Sequence, residues 1–499
     1  MNRSRYRLLL AMLLLGTEFL CAQQVQGTPP SAANAVQMRV EQLAEMVTRE
    51  QSVLESSQRQ IEILRQQVVA LQGQLAARSP TPVTELLEPE GEAVARLNAN
   101  VAGLREQQQL QQSEIATHEQ AKVESESKFP VKITGLILMN AFANSAGVDV
   151  VQSPTLATGG GGTTGLSLRQ TVLGLDAHGP HLFGGDSAAD VRVDFFGGLS
   201  QGSYTESGGV ARLRTAHAEL AWDRTRTFFE IDRPLVSPNA PTSLTAIAQP
   251  ALAWSGNLWN WVPQAGAEHT FLNESSHLSI QAAVADIPDP TTPQRNSATA
   301  PVPSLAEQSR WPGSEARLAY ARGNDLTGLK VGVGGYFSPH TVNEYIHFDA
   351  WAATIDYRVP LLARLEASGS FYRGLALGGL GGGAFKDYVD EEQGGSYYFR
   401  PLDDVGGWSQ LKARASERLE FNAAYGVDNV FARQLRPYLG AAPATYQNLA
   451  RNSTFFTNVI YSPTAYTLFS LEYRRVDSSY AIGPHSIADV YGVAAGYRF

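Results

Sequence analysis

The stretch that decides the fold is Tyr491-Gly-Val-Ala-Ala-Gly-Tyr-Arg-Phe499, whose side chains alternate between two faces. Small residues and Arg498 form one face, and the apolar face is formed by Tyr491, Val493, Ala495, Tyr497 and Phe499. A period of two residues is typical of a β-strand with one face against an apolar medium. Aromatic rings at a strand end suit a boundary between lipid and water, so this strand is predicted to end at a membrane interface.

The same alternation recurs through residues 129–499. It is clear in 189–195, in 361–372 and in 411–425, where a tight turn at 416–418 separates two strands. Long polar segments interrupt it at 144–165, 234–266, 286–312, 374–395 and 432–452. Short connections at one end and long ones at the other are typical of an outer-membrane barrel. At about 20 to 25 residues per strand and loop, the region predicts an antiparallel transmembrane β-barrel of roughly 16 strands, wide enough for a water-filled channel.

The first 22 residues have the parts of a secretory signal peptide. Three arginines precede a short apolar run at 8–16, and Leu20-Cys-Ala22 makes an imperfect cleavage site. The apolar run is shorter than the roughly 20 residues that a membrane-spanning helix needs. Cys21 is the single cysteine, so the mature chain is predicted to hold no disulfide and no thiolate metal site. No other metal site and no cofactor are predicted. The acidic Glu18 just upstream disfavours lipid attachment at Cys21.

Residues 31–78 carry a heptad repeat. Apolar residues recur every seven positions, at Val40, Val47, Leu54, Ile61, Val68 and Leu75. Together with a second apolar row, this narrow stripe predicts a coiled-coil helix in the periplasm. A single amphipathic helix that lies on a globular domain is the alternative. Prolines at 80 and 82 end the helix, and residues 79–128 are predicted to be a linker with a weaker second helix.

The C-terminal strand resembles the signal that the barrel assembly machinery recognises in bacterial outer-membrane proteins, with Tyr497 and Phe499 as its aromatic residues. Further segments make the region 129–320 similar to the DcaP-like porins, which are related in architecture to the phosphate-selective porins O and P. They include Val131–Gly135, Leu168–Leu175, Asp194–Gly198, Arg212–Trp222 and Gly256–Trp259. The resemblance implies a homotrimer of 16-stranded outer-membrane barrels, each with an N-terminal periplasmic coiled coil. At 230–233 an expected Gly-Gln pair is replaced by Glu-Ile-Asp-Arg, which leaves the selectivity open.

Arginines are concentrated on the early strands of the barrel region. The whole chain has a net charge of −9, which argues against a nucleic-acid partner. A charged side chain on a strand should face the lumen, because Arg or Lys at the lipid midplane costs about 2–4 kcal/mol. The pore-lining candidates are Arg169, Arg192, Arg212, Arg214, Arg226, Arg233, Arg364 and Glu366. The arginines either line a path for small anions or pair across strands with Asp190, Asp194, Glu219 and Glu230.

The segment 234–266 is the best candidate for a loop that constricts the pore. It is long, nearly uncharged and carries Trp254, Trp259 and Trp261. A loop that faces bulk water rarely carries three tryptophans. The segment therefore either folds into the barrel or packs on a neighbouring subunit, and both alternatives remain open.

Together these features predict a porin for passive diffusion of small solutes across the bacterial outer membrane, with anions as one candidate class. The alternative is a structural anchor that tethers the envelope through its coiled coil. An enzyme is not predicted, because Gly198-Leu-Ser-Gln-Gly202 matches the nucleophile-elbow pattern but a polar loop follows it where a helix is needed. The expected partners are outer-membrane lipid, further copies of the chain, the barrel assembly machinery and the solutes.

Overall fold

The computed structural model describes residues 131–197, 209–272, 276–288, 303–323, 328–342, 344–393, 396–438 and 448–499. The predicted signal peptide (1–22), coiled-coil helix (31–78) and linker (79–128) lie outside the described residues and stay predictions. Within the described ranges, the helices are all too short or too polar to cross a membrane.

The described residues form nineteen strands and a few short helices. The strands are β1 (Val131–Val148), β2 (Ala157–Ser167), β3 (Val172–His178), β4 (Asp186–Gly197), β5 (Val210–Ala221), β6 (Thr225–Asp232), β7 (Val262–Leu272), β8 (Ser276–Ala285), β9 (Gly313–Arg322), β10 (Leu329–Val342), β11 (Ile346–Leu362), β12 (Leu365–Leu375), β13 (Tyr388–Gln393), β14 (Ser396–Pro401), β15 (Asp403–Arg414), β16 (Leu419–Val430), β17 (Leu449–Tyr461), β18 (Thr467–Tyr480) and β19 (Ser486–Arg498). The helices are α1 (Leu305–Ser309), α2 (Ala432–Leu435) and three 3-10 turns at Gly378–Leu380, Gly383–Phe385 and Arg436–Tyr438.

Seventeen of these strands close into one antiparallel barrel. Most strands pair with their neighbours in the chain, and β12 pairs with β15 across the β13–β14 hairpin. β1 pairs with β19 from Leu136↔Arg498 to Asn144↔Val490, which joins the two edges. β2 and β3 pair with successive halves of β1 and so share one position in the wall. The barrel therefore has 17 − 1 = 16 strand positions, and the prediction of roughly 16 strands is confirmed. The remaining two strands, β13 and β14, form a separate hairpin.

The two faces of the barrel wall differ in polarity. On β1, Ile133 is 67% exposed on the outer face, whereas Asn140 on the inner face is 2% exposed. Large apolar side chains recur around the outer face, among them Phe229, Ile280, Ile355, Phe371, Leu411, Phe469, Leu471 and Tyr491. Polar side chains are buried on the inner face, among them Asp194, Gln410, Asn422, Asn458 and Glu472. An apolar outer face around a polar interior is the arrangement of a barrel that lies in lipid.

The two ends of the barrel have different connections. At one end, here called the turn end, the strands are joined by short turns such as 222–224, 363–364 and 415–418. At the other, here called the loop end, the connections include 233–261, 286–312, 376–402 and 431–448. This asymmetry is typical of outer-membrane barrels, whose long loops are extracellular.

Two details of the predicted strands were wrong. Residues 361–372 are not one strand, because the chain reverses at 363–364 between β11 and β12. A two-residue turn alone would shift the alternation by one residue, but a bulge between Pro360 and Leu362 shifts it back, so the pattern runs through the turn unbroken. The glycine-rich segment 160–165 was expected to be a flexible loop, but it lies in β2. Glycine is needed there, since a Cβ at Gly162 would meet the Asn144 carbonyl oxygen at 2.3 Å and one at Gly165 would meet the Phe142 ring at 2.7 Å.

Candidate functional site in the barrel lumen

The most prominent feature of the lumen is the connection between β6 and β7, residues 233–261, here called the inner loop. Its first half runs around the inside of the wall. It contacts β9 at Val236, β11 at Asn239, β15 and β17 at Thr242, β18 at Ser243, β1 at Leu244 and β5 at Ala248. These strands follow one another around the barrel, so the inner loop makes nearly a full circuit of the lumen.

Glu472 on β18 is a central anchor of this circuit. Its carboxylate accepts hydrogen bonds at 2.6 Å from the hydroxyls of Ser243 and Thr245 in the inner loop. It also accepts hydrogen bonds from Asn458 at 3.0 Å and from Arg474 at 2.6 Å. Hydrogen bonds to an ionised acceptor are stronger than neutral ones, so this buried carboxylate holds the loop to the wall.

We expect Glu472→Gln to loosen the inner loop. An amide has one acceptor oxygen and cannot replace a carboxylate that accepts four hydrogen bonds. The free energy that holds the inner loop to the wall should therefore fall by about 1–3 kcal/mol. The change should increase current fluctuations in single-channel recordings. Glu366→Gln is the matched control, because Glu366 is also buried on the inner face but its nearest cation is Arg414, 3.7 Å away on the wall. Current fluctuations in the Glu472→Gln variant no larger than those of the wild type would contradict this role.

The second half of the inner loop crosses the lumen again. Asn452 on β17 donates to the Trp254 carbonyl oxygen at 3.0 Å, and the Ser255 hydroxyl lies 2.9 Å from that of Thr454. Here the backbone approaches the wall so closely that a Cβ at Gly256 would meet the Gly407 carbonyl oxygen at 2.2 Å. Gly256 also has a φ of +92°, which only glycine adopts without strain.

The three tryptophans of the inner loop form a continuous aromatic chain. The rings of Trp254 and Trp259 meet edge to face at 5.8 Å, as do those of Trp259 and Trp261 at 5.5 Å. Trp254 also stacks at 4.0 Å on Phe385 from the connection 376–402. The structure thus brings together the tryptophans proposed from sequence and places them inside the barrel. Whether they limit a permeating solute stays a prediction.

The connection 376–402, here called the upper loop, packs on the inner loop from the loop end. Leu377 and Leu380 share an apolar cluster with Leu258 of the inner loop. The upper loop is held by Asp404 and Asp428 on the wall, which accept hydrogen bonds from the backbone N–H groups of Gly383 and Ala384. The Lys386 ammonium, buried nearby, donates to two backbone carbonyl oxygens. Burial lowers the pKa of Lys386 to about 7, although the carboxylates of Asp428 and Asp404 oppose the change.

Three of the predicted arginines pair with carboxylates on neighbouring strands. Arg192 lies 2.5 Å from Asp176, and Arg226 lies 2.8 Å from Glu268 and 3.2 Å from Glu219. Arg212 makes two hydrogen bonds to the fully buried Asp194 and a third to the Ala248 carbonyl oxygen. These contacts are the cross-strand ion pairs that the sequence analysis gave as the alternative to an anion path. Glu230, one of the carboxylates expected to take part, instead accepts a hydrogen bond from Gln264.

Arg214 and Arg233 differ from these three. Neither forms an ion pair with a carboxylate of the described residues; Arg233 donates to the Asn239 carbonyl oxygen at 2.7 Å. The guanidinium carbons of Arg212 and Arg214 lie 5.1 and 5.2 Å from the Trp261 ring centre. The position of Arg214 results from a bulge in β5. On β4, Arg192 is opposite Thr215 and Val193 is opposite Leu213, so Arg214 has no opposite residue on β4. A bulge redirects the side chain it carries.

Arg214 and Arg233 border a cavity of about 690 Å³ that reaches the turn end of the barrel. Its charged and titratable side chains are Lys132, Arg192, Arg214, Arg233, Arg498, His217 and Asp232. Five of these are permanent cations and one is a carboxylate. Burial and the neighbouring Arg214 lower the pKa of Arg233 to about 10, so it stays a cation at neutral pH. The cavity lining therefore carries a net positive charge, even with Arg192 paired to Asp176, although the chain as a whole is acidic.

Trp261 and Phe499 also border this cavity, and the remaining predicted residues lie apart from it. Arg169 is buried between β2 and β3, where it donates to the carbonyl oxygens of Phe195 and Gly197. Glu366 is buried on the wall, and Arg364 lies in the turn between β11 and β12 and donates to the Ala415 carbonyl oxygen. Tyr497 is half exposed on the outer face, and the Phe499 backbone pairs with Gly135. The predicted pore residues are thus only partly brought together.

Sequence reasoning missed Lys132, His217 and Arg498, which also line the cavity. Lys132 and Arg498 could have been found, since each lies on the inward face of an alternating terminal strand. His217 could not, because the bulge at Arg214 changes the parity of β5 between Arg212 and His217. His217 lies between the carboxylates of Asp190 and Asp232, at 3.0 and 2.9 Å.

Comparison with solved structures supports the fold. No family model and no curated protein matches the sequence. The outer-membrane channel DcaP of Acinetobacter baumannii is similar with a TM-score of 0.53 at 16% identity, over 75% of this chain and 99% of that one. An anion-selective porin from Comamonas acidovorans gives a TM-score of 0.48 at 10% identity, over 74% of this chain and 100% of that one. The likeness to DcaP shows that the described part of this chain has the fold of an outer-membrane channel.

Proposed function

We propose that the chain is an outer-membrane porin whose lumen favours small anions over cations. The observation that carries the proposal is the cavity at the turn end, lined by one carboxylate and five permanent cations, of which Arg192 is ion-paired. Charge inside a narrow lumen with low-dielectric walls attracts counter-ions and excludes ions of the same sign. A solute that passes along this side of the lumen at the turn end meets the positive field.

Arg214 and Arg233 are the residues that we expect to matter most. The ion-paired arginines Arg192, Arg212 and Arg226 face carboxylates, so most of their charge is cancelled locally. Arg214 and Arg233 carry charge that no ion pair within the described ranges balances. Each presents a planar guanidinium, which suits carboxylate and phosphate groups.

The inner loop supports the same function in a second way. It narrows the path through the barrel, so a permeating ion passes near the wall on the side of β3 to β6. A 16-stranded barrel without such a loop would leave a wide aqueous channel in which wall charges are screened. Narrowing the lumen makes a small number of arginines sufficient to select by charge.

Replacing both residues by glutamine should reduce anion preference. Removing one charge about 7 Å from a permeating ion in water changes its energy by about 0.6 kcal/mol, or roughly threefold in permeability ratio. We therefore expect Arg214→Gln with Arg233→Gln to lower the anion-to-cation permeability ratio by about three- to tenfold. The measurement is the reversal potential of the purified protein in a planar bilayer under a KCl gradient.

Two control variants separate charge from packing. Replacing both residues by lysine keeps the charge and should leave the reversal potential close to that of the wild type. Arg224→Gln with Arg322→Gln removes the same charge from exposed positions at the turn end and should have little effect. A glutamine variant with unchanged reversal potential would overturn the proposal.

A further inference from the structure

His217 on β5 belongs to a row of alternating charges on the lumen wall. The row crosses β3 to β6 and consists, in order, of Asp176, Arg192, Asp190, His217 and Asp232. The contacts between successive members measure 2.5, 3.5, 3.0 and 2.9 Å. The row ends at a carboxylate that lines the same cavity as the two arginines on which the proposed function depends.

Both ring nitrogens of His217 face carboxylates. Nδ1 lies 3.0 Å from each carboxylate oxygen of Asp190, and Nε2 lies 2.9 Å from an oxygen of Asp232. An ionised carboxylate only accepts hydrogen bonds, and only the charged imidazolium has an N–H donor on both nitrogens. These contacts therefore require the protonated form of His217. The side chain is 26% exposed, so it can exchange protons with water in the lumen.

Asp232 is the carboxylate that His217 keeps apart from the unpaired arginines. It lies close enough to both Arg214 and Arg233 to interact electrostatically with them. Its two oxygens nevertheless bind elsewhere, one to His217 and the other to the Arg233 backbone N–H at 2.7 Å. The guanidinium groups of Arg214 and Arg233 consequently form no ion pair within the described ranges.

Without the imidazolium charge, the row would contain too few cations. Three carboxylates would share Arg192, which already contacts the two carboxylates at the other end of the row. Asp232 would then have no cationic side chain as a partner in the row. Since it already lies in the field of Arg214 and Arg233, its carboxylate would turn to their guanidinium groups, which bind carboxylates strongly.

The other charged groups around His217 are engaged or lie farther along the cavity. On β5, Glu219 pairs with Arg226. On β6, Glu230 is opposite His217 in register but accepts a hydrogen bond from Gln264. The cations that line the cavity from β1 and β19 are Lys132 and Arg498. Among these groups, none takes over the contact that His217 makes with Asp232.

We propose that His217 is a positioning residue of the anion path. As an imidazolium it holds Asp232, which leaves the guanidinium groups of Arg214 and Arg233 free for a permeating anion. The inference rests on the proposed function and adds its regulation by pH. When His217 loses its proton in alkaline solution, Asp232 is released to the arginines, so the anion preference should fall as the pH rises.

The test is a set of variants whose reversal potentials are measured in a planar bilayer under a KCl gradient. At neutral pH, His217→Gln should lower the anion-to-cation permeability ratio by about three- to tenfold. Arg214→Gln with Arg233→Gln should lower it by about as much in the wild-type background. In the His217→Gln background the same arginine changes should lower it less than about twofold further, because Asp232 already binds the arginines; independent effects would multiply.

Two further variants separate positioning from folding and from the mere loss of a histidine. His217→Arg keeps a cation with several donors and should retain the anion preference at neutral pH, which rules out misfolding as the cause. His277→Gln is the matched control. His277 alternates with the outward Leu278 on β8, so it faces the lumen away from the row, and its loss should leave the reversal potential unchanged.

The pH profile is a readout that a purely structural role would not move. From neutral pH to about pH 9, where Arg233 is still mostly a cation, the permeability ratio of the wild type should fall about twofold. The ratios of His217→Gln and His217→Arg should stay nearly constant over this range, because neither side chain loses a proton there.

The outcomes distinguish this inference from the proposed function. If the arginine variant lowers the ratio but His217→Gln does not, the role of His217 is wrong and the porin proposal stands. Independent, multiplying effects of His217 and the arginines would show that His217 contributes only charge, which would overturn the positioning role. An arginine variant with an unchanged ratio in the wild-type background would contradict the proposed function and this inference together.

Discussion

Replacing residues 240–256 of the inner loop by a short Gly-Ser linker should raise the single-channel conductance several-fold. The deleted residues include most of the circuit around the wall and the pass that places Trp254 across the lumen. Without them the 16-stranded barrel would enclose an open aqueous channel. The expected increase is large because the inner loop occupies the lumen at one level around almost the whole wall.

The structure suggests that this shortened chain would still fold. Asn239 and Asn257 lie close together, since the Arg233 guanidinium donates to the Asn239 carbonyl oxygen at 2.7 Å and lies 3.4 Å from the Asn257 side-chain oxygen. A short linker can therefore join them. The wall residues that lose their partners, such as Gln410 and Asn458, are polar and can be hydrated. A correctly folded variant with the conductance of the wild type would show that the inner loop does not limit the current.

Lys386→Met should release the upper loop from the mouth of the barrel. The Lys386 ammonium donates to the carbonyl oxygens of Ala384 and Leu449 at 2.7 and 2.9 Å, and it lies in the field of Asp404 and Asp428. Without the ammonium, the two buried carbonyl oxygens lose their hydrogen bonds, which should destabilise the packed loop by about 1–3 kcal/mol for each. Faster cleavage of residues 376–402 by an added protease, together with noisier channels, would report the release.

The matched control for this change is Lys412→Met. Lys412 faces the lumen from β15 and lies 3.6 Å from Glu420, at the opposite end of the strand from the upper loop. It should leave the cleavage rate of 376–402 unchanged. Equal cleavage rates in the Lys386 variant and the wild type would contradict the anchoring role of Lys386.

The lowered pKa of Lys386 also predicts how the packing of the upper loop depends on pH. Burial lowers the pKa of Lys386 from 10.5 to about 7 when the upper loop is packed. Between these values the released loop binds one more proton than the packed loop, so packing becomes more favourable as the pH rises through this window. Protease cleavage of 376–402 should therefore slow between about pH 7 and pH 10.5, after correction for the protease itself. The Lys386→Met variant should lack this dependence, and cleavage that accelerates with pH only in the wild type would contradict it.

The barrel could be predicted from sequence because its physical signal is local and repeated. A period of two, with apolar and polar faces, is visible in most of the long strands, as Tyr491 to Phe499 illustrate. The signal fails where a bulge and a turn together preserve the parity of two strands, as at 361–364, and where glycine leaves no side chain to alternate, as in β2. In the first case the side-chain pattern continues through the turn, and in the second there is no side-chain pattern to read.

The candidate site was predictable only in its composition. Arginine-rich early strands pointed to Arg192, Arg212 and Arg214, but which of them pair with carboxylates depends on neighbouring strands and on the bulge in β5. The inner loop has no periodicity, so its circuit could not be derived. Its anchor, Glu472, lies more than two hundred residues from Ser243 in the chain, and nothing near Glu472 in sequence marks it as a partner.

The measurement that tests the central claim most directly is the current of the purified wild-type protein in a planar bilayer under a KCl gradient. We predict discrete conductance steps and a reversal potential on the anion side, because a closed wall encloses a wet lumen with a positive cavity at one end. Absence of conductance steps, or a reversal potential on the cation side, would contradict this account of the molecule.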